Sequence, residues 1–559
     1  MLALSAFVSF LLLFTAARVD ASPVRRTSIH FQFPPVNTNR LLCKIPVIRQ
    51  ILCPRGGSNP LNVQTPIGQA SGTLDVDGAI RFSVKYASAA RWQPSTQVNT
   101  WAFPNGATNV TALPLACPQP GADPSSFSED CLSMILYVPP NLATYAKVPV
   151  LMWVHGGSFI VGSANGPGLD GSKLAIATNS IVAVVQYRLG ALGFMAPNGA
   201  TNLAVKDLVT AIQFLRKVAP SFGGSTKITL SGQSSGANMI RALLAVPSAS
   251  SLFQSAILHS DPMNYGFLKN SVQQALQSSY NQLINCGSSD TACWNALSLS
   301  TIVNTQMNLF GNAINIDPSC GMAQPIRPVN DGSFITSPLD STGTFPNQNK
   351  PIMVSTVLNE AAPTIYGWFT DPIPQSDYPG NVAASLGNDR ANTLLASSFY
   401  VPAPAASDGS TDVRPQLTNM GTDQIWRCAS WAFARNWAQH GGSAYVSVYA
   451  VGATYPSNNG IDFCGQPGSV CHEDDIQIVF GTVPSPTPAQ SSLITEVQKR
   501  YKAFLNGGNP NAAGLASWSA VSSSNINGRS LGGSSVDVGA CVPTFWGDSV
   551  PFDYQIFNA

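Results

Sequence analysis

Uninterrupted apolar runs, each short enough for a single strand, recur through the middle of the chain. Residues 148–154 (VPVLMWV), 180–187 (SIVAVVQY), 255–259 and 351–357 (PIMVSTV) are the clearest, and 444–449 follows the same pattern. Runs of this length without polar alternation predict strands buried on both faces, as in a parallel sheet covered by helices. Residues 79–86 and 132–138 predict two earlier strands. Between the run at 180–187 and the next, Leu208, Ala211, Ile212 and Leu215 recur at helical spacing within 203–218, with Pro220 just beyond. That spacing predicts an amphipathic helix ended by the proline. Buried strands alternating with amphipathic helices predict an α/β fold with a large, mostly parallel central sheet. No internal repeat is present, and the Pro/Ser/Gly-rich stretches near 402–416 and 484–492 read as loops because the pattern resumes after each.

The sharpest local pattern is KITLSGQSSGANMIRALL at 227–244. A short apolar strand runs into Gly232-Gln233-Ser234-Ser235-Gly236, and Met239, Ile240, Leu243 and Leu244 then fall on one helical face. Strand, G-x-S-x-G, helix is the setting of a nucleophile elbow, a turn so tight that only glycine fits on either side of the nucleophile. Ser234 is the candidate nucleophile. A serine hydroxyl needs a base to take its proton and an acid to orient that base. In the elbow's usual chain order the acid comes next and the histidine last. Only His259, His440 and His472 follow Ser234. His259 comes too soon for an acid to intervene and reads as a core histidine. His440 sits in a helix-end pattern, whereas His472 follows Cys471, whose bridge to Cys464 would pin its loop. His472 is therefore the candidate general base. Glu360 is the single glutamate between Ser234 and His472 and lies just past the run at 351–357, where a triad acid belongs. Asp317, Asp331 and Asp340 follow less clear strands. Directly after VPVLMWV, His155-Gly156-Gly157-Ser158-Phe159 offers backbone N–H groups for an oxyanion: Gly157 and Ser158, with Ser235 as a third donor and Gly156 in support. The acidic run Glu473-Asp474-Asp475 lacks the spacing of a zinc or calcium site and reads as a solvent-facing helix cap. No metal and no cofactor are expected, and no dinucleotide fingerprint follows a strand.

Composition adds context. In 559 residues, 44% are hydrophobic and only 10% charged, with a formal net charge of +1. This supports a large core and gives no electrostatic reason to expect nucleic acid or an anionic membrane as partner. Residues 1–21 read as a signal peptide, through the apolar stretch 2–17 and the small residue Ala21. Residues 22–62, with the dibasic Arg25-Arg26, read as an N-terminal extension or pro-segment, leaving 63–559 as a single domain. No later stretch is apolar enough to span a bilayer. Eleven cysteines in a chain of this kind imply disulfides and one leftover thiol. Close spacing proposes Cys43–Cys53, Cys117–Cys131, Cys286–Cys293 and Cys464–Cys471. Asn109 heads the sequon Asn109-Val110-Thr111. A secreted, glycosylated, extracellular protein is expected.

Several motifs in order resemble the type-B carboxylesterase/lipase family, the α/β-hydrolases that include cholinesterases and secreted fungal lipases. They are Ser128-Glu129-Asp130-Cys131-Leu132, the glycine loop after His155, Tyr187-Arg188-Leu189-Gly190-Ala191-Leu192-Gly193-Phe194, and Ser221-Phe222-Gly223-Gly224 before the elbow. The resemblance covers about 63 to 552. It implies the α/β-hydrolase fold and a serine ester hydrolase working through a Ser-His-Glu triad and an acyl-enzyme. It also implies a Cys428–Cys541 bridge, with Cys320 as the odd thiol, and a buried structural pair Arg188–Asp207. The chain departs from the family at Gln233, where a glutamate is usual, at Ser158 in place of a third loop glycine, at Asn359-Glu360-Ala361-Ala362, and at Glu473, where glycine commonly follows the histidine. The thirteen residues between Cys117 and Cys131 are fewer than the lid loop of the lipase branch, which favours soluble or short-to-medium-chain esters over long-chain acyl esters. A lipase is the alternative reading. A non-catalytic recognition protein is the other, and a lost Ser, His or glycine loop would be its mark; none is lost here.

Overall fold

The computed structural model describes residues 60–321, 324–340 and 345–557. The segment 1–21, nearly all of 22–62 and the Cys43–Cys53 pair lie outside these residues. The first described strand, Asn62–Thr65, forms a hairpin with Gly68–Ser71.

A ten-stranded sheet organises the chain. Its strands are β1 (Thr73–Leu74), β2 (Ile80–Lys85), β3 (Ser133–Val138), β4 (Val148–Val154), β5 (Ile181–Val185), β6 (Gly224–Gln233), β7 (Ser255–His259), β8 (Ile352–Val357), β9 (Ala444–Tyr449) and β10 (Arg529–Leu531). In space they run β10-β9-β8-β7-β6-β4-β5-β3-β2-β1. The pairs from β5 through β4 and β6 to β10 are parallel, and β1, β2 and β3 form an antiparallel edge. Every residue of β4, β5, β7, β8 and β9 is buried, which explains their lack of polar alternation. The large apolar side chains buried here each contribute roughly 1.5–3 kcal/mol relative to exposure.

Helices cover both faces. Those that matter to the site are α1 (Leu203–Val218), α2 (Ser235–Leu244), α3 (Ala362–Trp368), α4 (Tyr378–Leu386) and α5 (Arg414–Gly421). The helix α5 continues through a π-helical stretch, Thr422–Arg427, into α6 (Cys428–Gln439). α1 has the bounds that its periodicity predicts. Among the described residues no helix is long and apolar enough to cross a membrane.

Among the described residues four disulfides join Cys117–Cys131, Cys286–Cys293, Cys428–Cys541 and Cys464–Cys471. Cys320 is a free, buried thiol, which burial raises to about 11. Arg188 and Asp207 form the expected buried pair, Nε to Oδ2 at 2.7 Å and Nη2 to Oδ1 at 2.8 Å.

Candidate active site

β6 carries the chain into the elbow. Ser234 takes φ 57° and ψ −129°, outside the regions that non-glycine residues favour. Its N–H donates to His259 O at 2.8 Å, which holds the turn against β7. The flanking glycines are required by close approach to β4. A Cβ on Gly236 would lie 2.2 Å from Val154 O, and one on Gly232 2.7 Å from the same oxygen. α2 starts at Ser235, so the N–H groups of its first turn have no helical partner and point their positive end toward the elbow.

The chain leaves β4 into the second loop. Gly157 has φ 117°, and a Cβ there would come within 2.2 Å of Val161 O. Ser158 and Phe159 follow at φ 52° and 65°, and the turn closes through Ile160 and Val161 N–H groups onto Gly157 O. The Cys117–Cys131 loop braces it, because Gln119 Oε1 accepts from Gly162 N–H and Gln119 Nε2 donates to Gly162 O, both at 3.0 Å.

Glu360 and His472 are 112 positions apart and are brought together by a short backbone zipper. Asn359 N–H donates to Val470 O at 2.8 Å, and Asn359 Oδ1 accepts from Val470 N–H at 3.1 Å. The next residue on one strand is Glu360, and His472 lies two beyond Val470 on the other, with Cys471 between them bridged to Cys464. Glu360 is 1% exposed. Its Oε1 accepts from Val357 N–H at 2.9 Å, and its Oε2 lies 2.6 Å from His472 Nδ1. Burial works against protonation of His472. The hydrogen bond and charge of Glu360 outweigh it, with smaller contributions from Glu473 and Asp475, and hold the imidazole above its ordinary pKa of 6.5. With Nδ1 donating to the carboxylate, Nε2 is left as an acceptor.

Ser234, Gly157, Ser158, Glu360 and His472 line one cavity of about 250 Å³. Its far wall is apolar and comes from α3, α5 and the π-helix, with Ile365, Trp368, Met420, Ile425 and Trp426 facing the space. The Trp426 ring packs 5.3 Å from the His472 ring. The sequence gives no sign of these wall residues, whose elements are short and polar in pattern. The Cys117–Cys131 loop contributes nothing to the lining.

The other two histidines after Ser234 fall elsewhere. His440 Nδ1 pairs with Asn436 O, and its ring stacks on Phe345. His259 is buried, with Nδ1 2.9 Å from both Asp475 Oδ2 and Ser355 Oγ, and Nε2 against Tyr501 OH. The acidic run after His472 does not face solvent as its composition suggests. Asp474 accepts from the N–H groups of Cys471 and Tyr455 and from Asn458 Nδ2, Asp475 is held by His259, and Glu473 accepts from Ser457 Oγ at 2.6 Å. Donors within the fold replace water for Asp474 and for one oxygen of Asp475, so these two build the loop from inside, while Glu473 is half-buried. Glu473 also adopts φ 76° at the position where the family commonly has glycine, and it lines the cavity.

A sequence model of the carboxylesterase family matches residues 60–534. Among curated relatives, the cAMP-regulated D2 protein of Dictyostelium discoideum is 27% identical over 448 residues, 75% of this chain and 78% of that protein. Carboxylesterase 1C of Rattus norvegicus is 25% identical over 532 residues, 85% of this chain and 91% of its own. Among solved structures, a PNB esterase superposes with a TM-score of 0.67 at 22% identity, covering 85% of this chain and 96% of that one, and shares the fold. With the family match spanning nearly all of the described residues, the chain belongs to the carboxylesterase family.

Proposed function

We propose that this carboxylic ester hydrolase works through Ser234 as nucleophile, His472 as general base and Glu360 as orienting acid, on soluble or short-to-medium-chain esters outside the cell. The observation that carries the triad is the 2.6 Å contact of His472 Nδ1 with a buried Glu360 at the edge of the cavity that Ser234 enters. Ser234 Oγ attacks the ester carbonyl as its proton passes to His472 Nε2. The tetrahedral oxyanion takes hydrogen bonds from the N–H groups of Gly157, Ser158 and Ser235. On collapse the C–O bond to the alcohol breaks, and His472 returns the proton to the departing oxygen. Water then attacks the acyl-enzyme, deprotonated by His472, and releases the acid. Each step uses side chains and backbone of this chain, with no cofactor.

The preference for smaller esters is supported by the short Cys117–Cys131 loop and by the modest cavity closed by Trp368 and Trp426. Export is supported by four disulfides. Asn109 lies exposed in a turn, open to a glycan. A chain-length series of p-nitrophenyl esters, hydrolysed by wild type and Ser234→Ala, tests the reading. Wild-type cleavage lost in the variant, with an optimum at short or medium acyl chains, is the expected result. Activity that survives the substitution would name the wrong nucleophile, and an optimum at long chains would favour the lipase reading.

A further inference from the structure

Gln233, the residue before the nucleophile, is fully buried at the end of β6, and its side chain turns toward the base. Its Nε2 lies 3.2 Å from His472 Nε2. Since His472 donates its Nδ1–H to the Glu360 carboxylate, Nε2 presents a lone pair, and the amide N–H of Gln233 is the donor that fits it. The amide is confined on its other side by the oxyanion loop. A Cβ built on Gly156 would lie 2.8 Å from Gln233 Oε1, an oxygen buried without a hydrogen-bond partner.

The same Nε2 lone pair must receive the Ser234 proton. A donor on that lone pair favours the neutral imidazole and opposes the imidazolium. The carboxylate that the family usually has at this position would do the reverse, because it is an acceptor only.

We infer that Gln233 is a positioning residue that acts through His472: its amide opposes protonation of the base and so lowers the pH down to which it can accept the serine proton. The other groups around the ring push the opposite way or are already paired. Glu360, Glu473 and Asp475 favour the imidazolium. Asp474 is occupied by backbone and Asn458 donors. On the π-helix that packs Trp426 on the ring, Asp423 is paired with Arg427 at 3.3 Å, and across the cavity Asp553 is paired with Arg390 at 2.7 Å. Gln233 is thus a neutral counterweight to a surplus of carboxylates.

The inference rests on the triad reading, and the two are tested by different arms of one experiment. The pH dependence of kcat/KM toward a p-nitrophenyl ester is measured for the full chain as wild type, Gln233→Met, Gln233→Glu and Ser234→Ala. A nitrogen-15 NMR titration of His472 accompanies it, and thermal melts check that each variant is folded. Methionine keeps the volume and removes the donor, so the acid limb and the His472 titration should move up by about half to one pH unit. Glutamate should move them further, by about one to two units. A limb that stays in place or moves down in folded Gln233→Met, with the same result in Gln233→Glu if that variant folds, would overturn the role of Gln233. Absence of wild-type hydrolysis, or hydrolysis that survives Ser234→Ala, would instead sink the triad reading. A side chain that served only packing would change the melt without moving the titration.

Discussion

At the residue scale, the proposed base His472 is balanced between three carboxylates and an amide. Glu360 fixes the tautomer through Nδ1, so replacing it with an amide of the same shape should misorient or mis-protonate the ring while leaving the loop intact. Glu360→Gln is expected to lower kcat by about 10³–10⁴-fold with a small change in melting temperature, read by steady-state kinetics and calorimetry. The pH dependence has a definite sign. The pKa of His472 is held above 6.5, and the base is useful only when neutral, so kcat/KM should fall as pH drops through a value above 6.5. Glu473 contributes to that elevation from the cavity side. Glu473→Gln should therefore move the acid limb to lower pH, by roughly half to one unit, opposite in direction to Gln233→Met. A limb that moved up or stayed fixed would show that Glu473 does not act on the base electrostatically.

At the element scale, the proposed acid and base are held by the zipper between the turn after β8 and the Cys464–Cys471 loop. Opening that disulfide with Cys464→Ser/Cys471→Ser should cost about 2–2.5 kcal/mol of stability, from a chain-entropy estimate for a loop closed over a separation of 7. It should also lower kcat several-fold, because His472 is the next residue. Urea unfolding and kinetics on the same sample check both parts. These elements differ in how far they could be read in advance. β4, β7 and β9 and the helix α1 have the bounds their apolar pattern predicts, since burial on both faces, or on one helical stripe, leaves a mark that needs no tertiary knowledge. The candidates Ser234, Glu360 and His472 could be singled out for a related reason: each follows a readable strand or a closely spaced cysteine pair. The three-residue strand β10 was not legible, because a strand so short has no period. The burial of Asp474 and Asp475 was hidden as well. Acidic side chains read as solvent-facing until the donors that satisfy them, such as Tyr455 N–H and Asn458, are brought in from other parts of the chain. The contact of Gln233 with His472 spans 239 positions and is invisible for the same reason.

At the scale of the whole molecule, the proposed catalytic groups and the cavity wall come from different elements of the fold. The segments that follow β6 and β8 present Ser234 and Glu360, whereas α3, α5 and the π-helix line the cavity opposite them. What fastens that wall is the Cys428–Cys541 bridge, which ties the first residue of α6, directly after the π-helix, to the C-terminal segment across a sequence separation of 113. A loop of that size restricts the unfolded chain by about 4–5 kcal/mol on the same estimate, roughly twice the figure for Cys464–Cys471. Its removal should therefore have a different signature from the opening of Cys464–Cys471. Cys428→Ser/Cys541→Ser should lose about twice the stability, and KM should rise because Ile425 and Trp426 lose their anchor. The acid limb of kcat/KM should stay in place, because Glu360, Gln233 and the zipper are untouched. Denaturant unfolding of the two double variants side by side, with a pH profile for each, separates the cases. If the long bridge were only a chain-entropy device, stability would fall and KM would not move; if the wall also orients the base, through the Trp426 ring 5.3 Å from His472, the acid limb would shift with it.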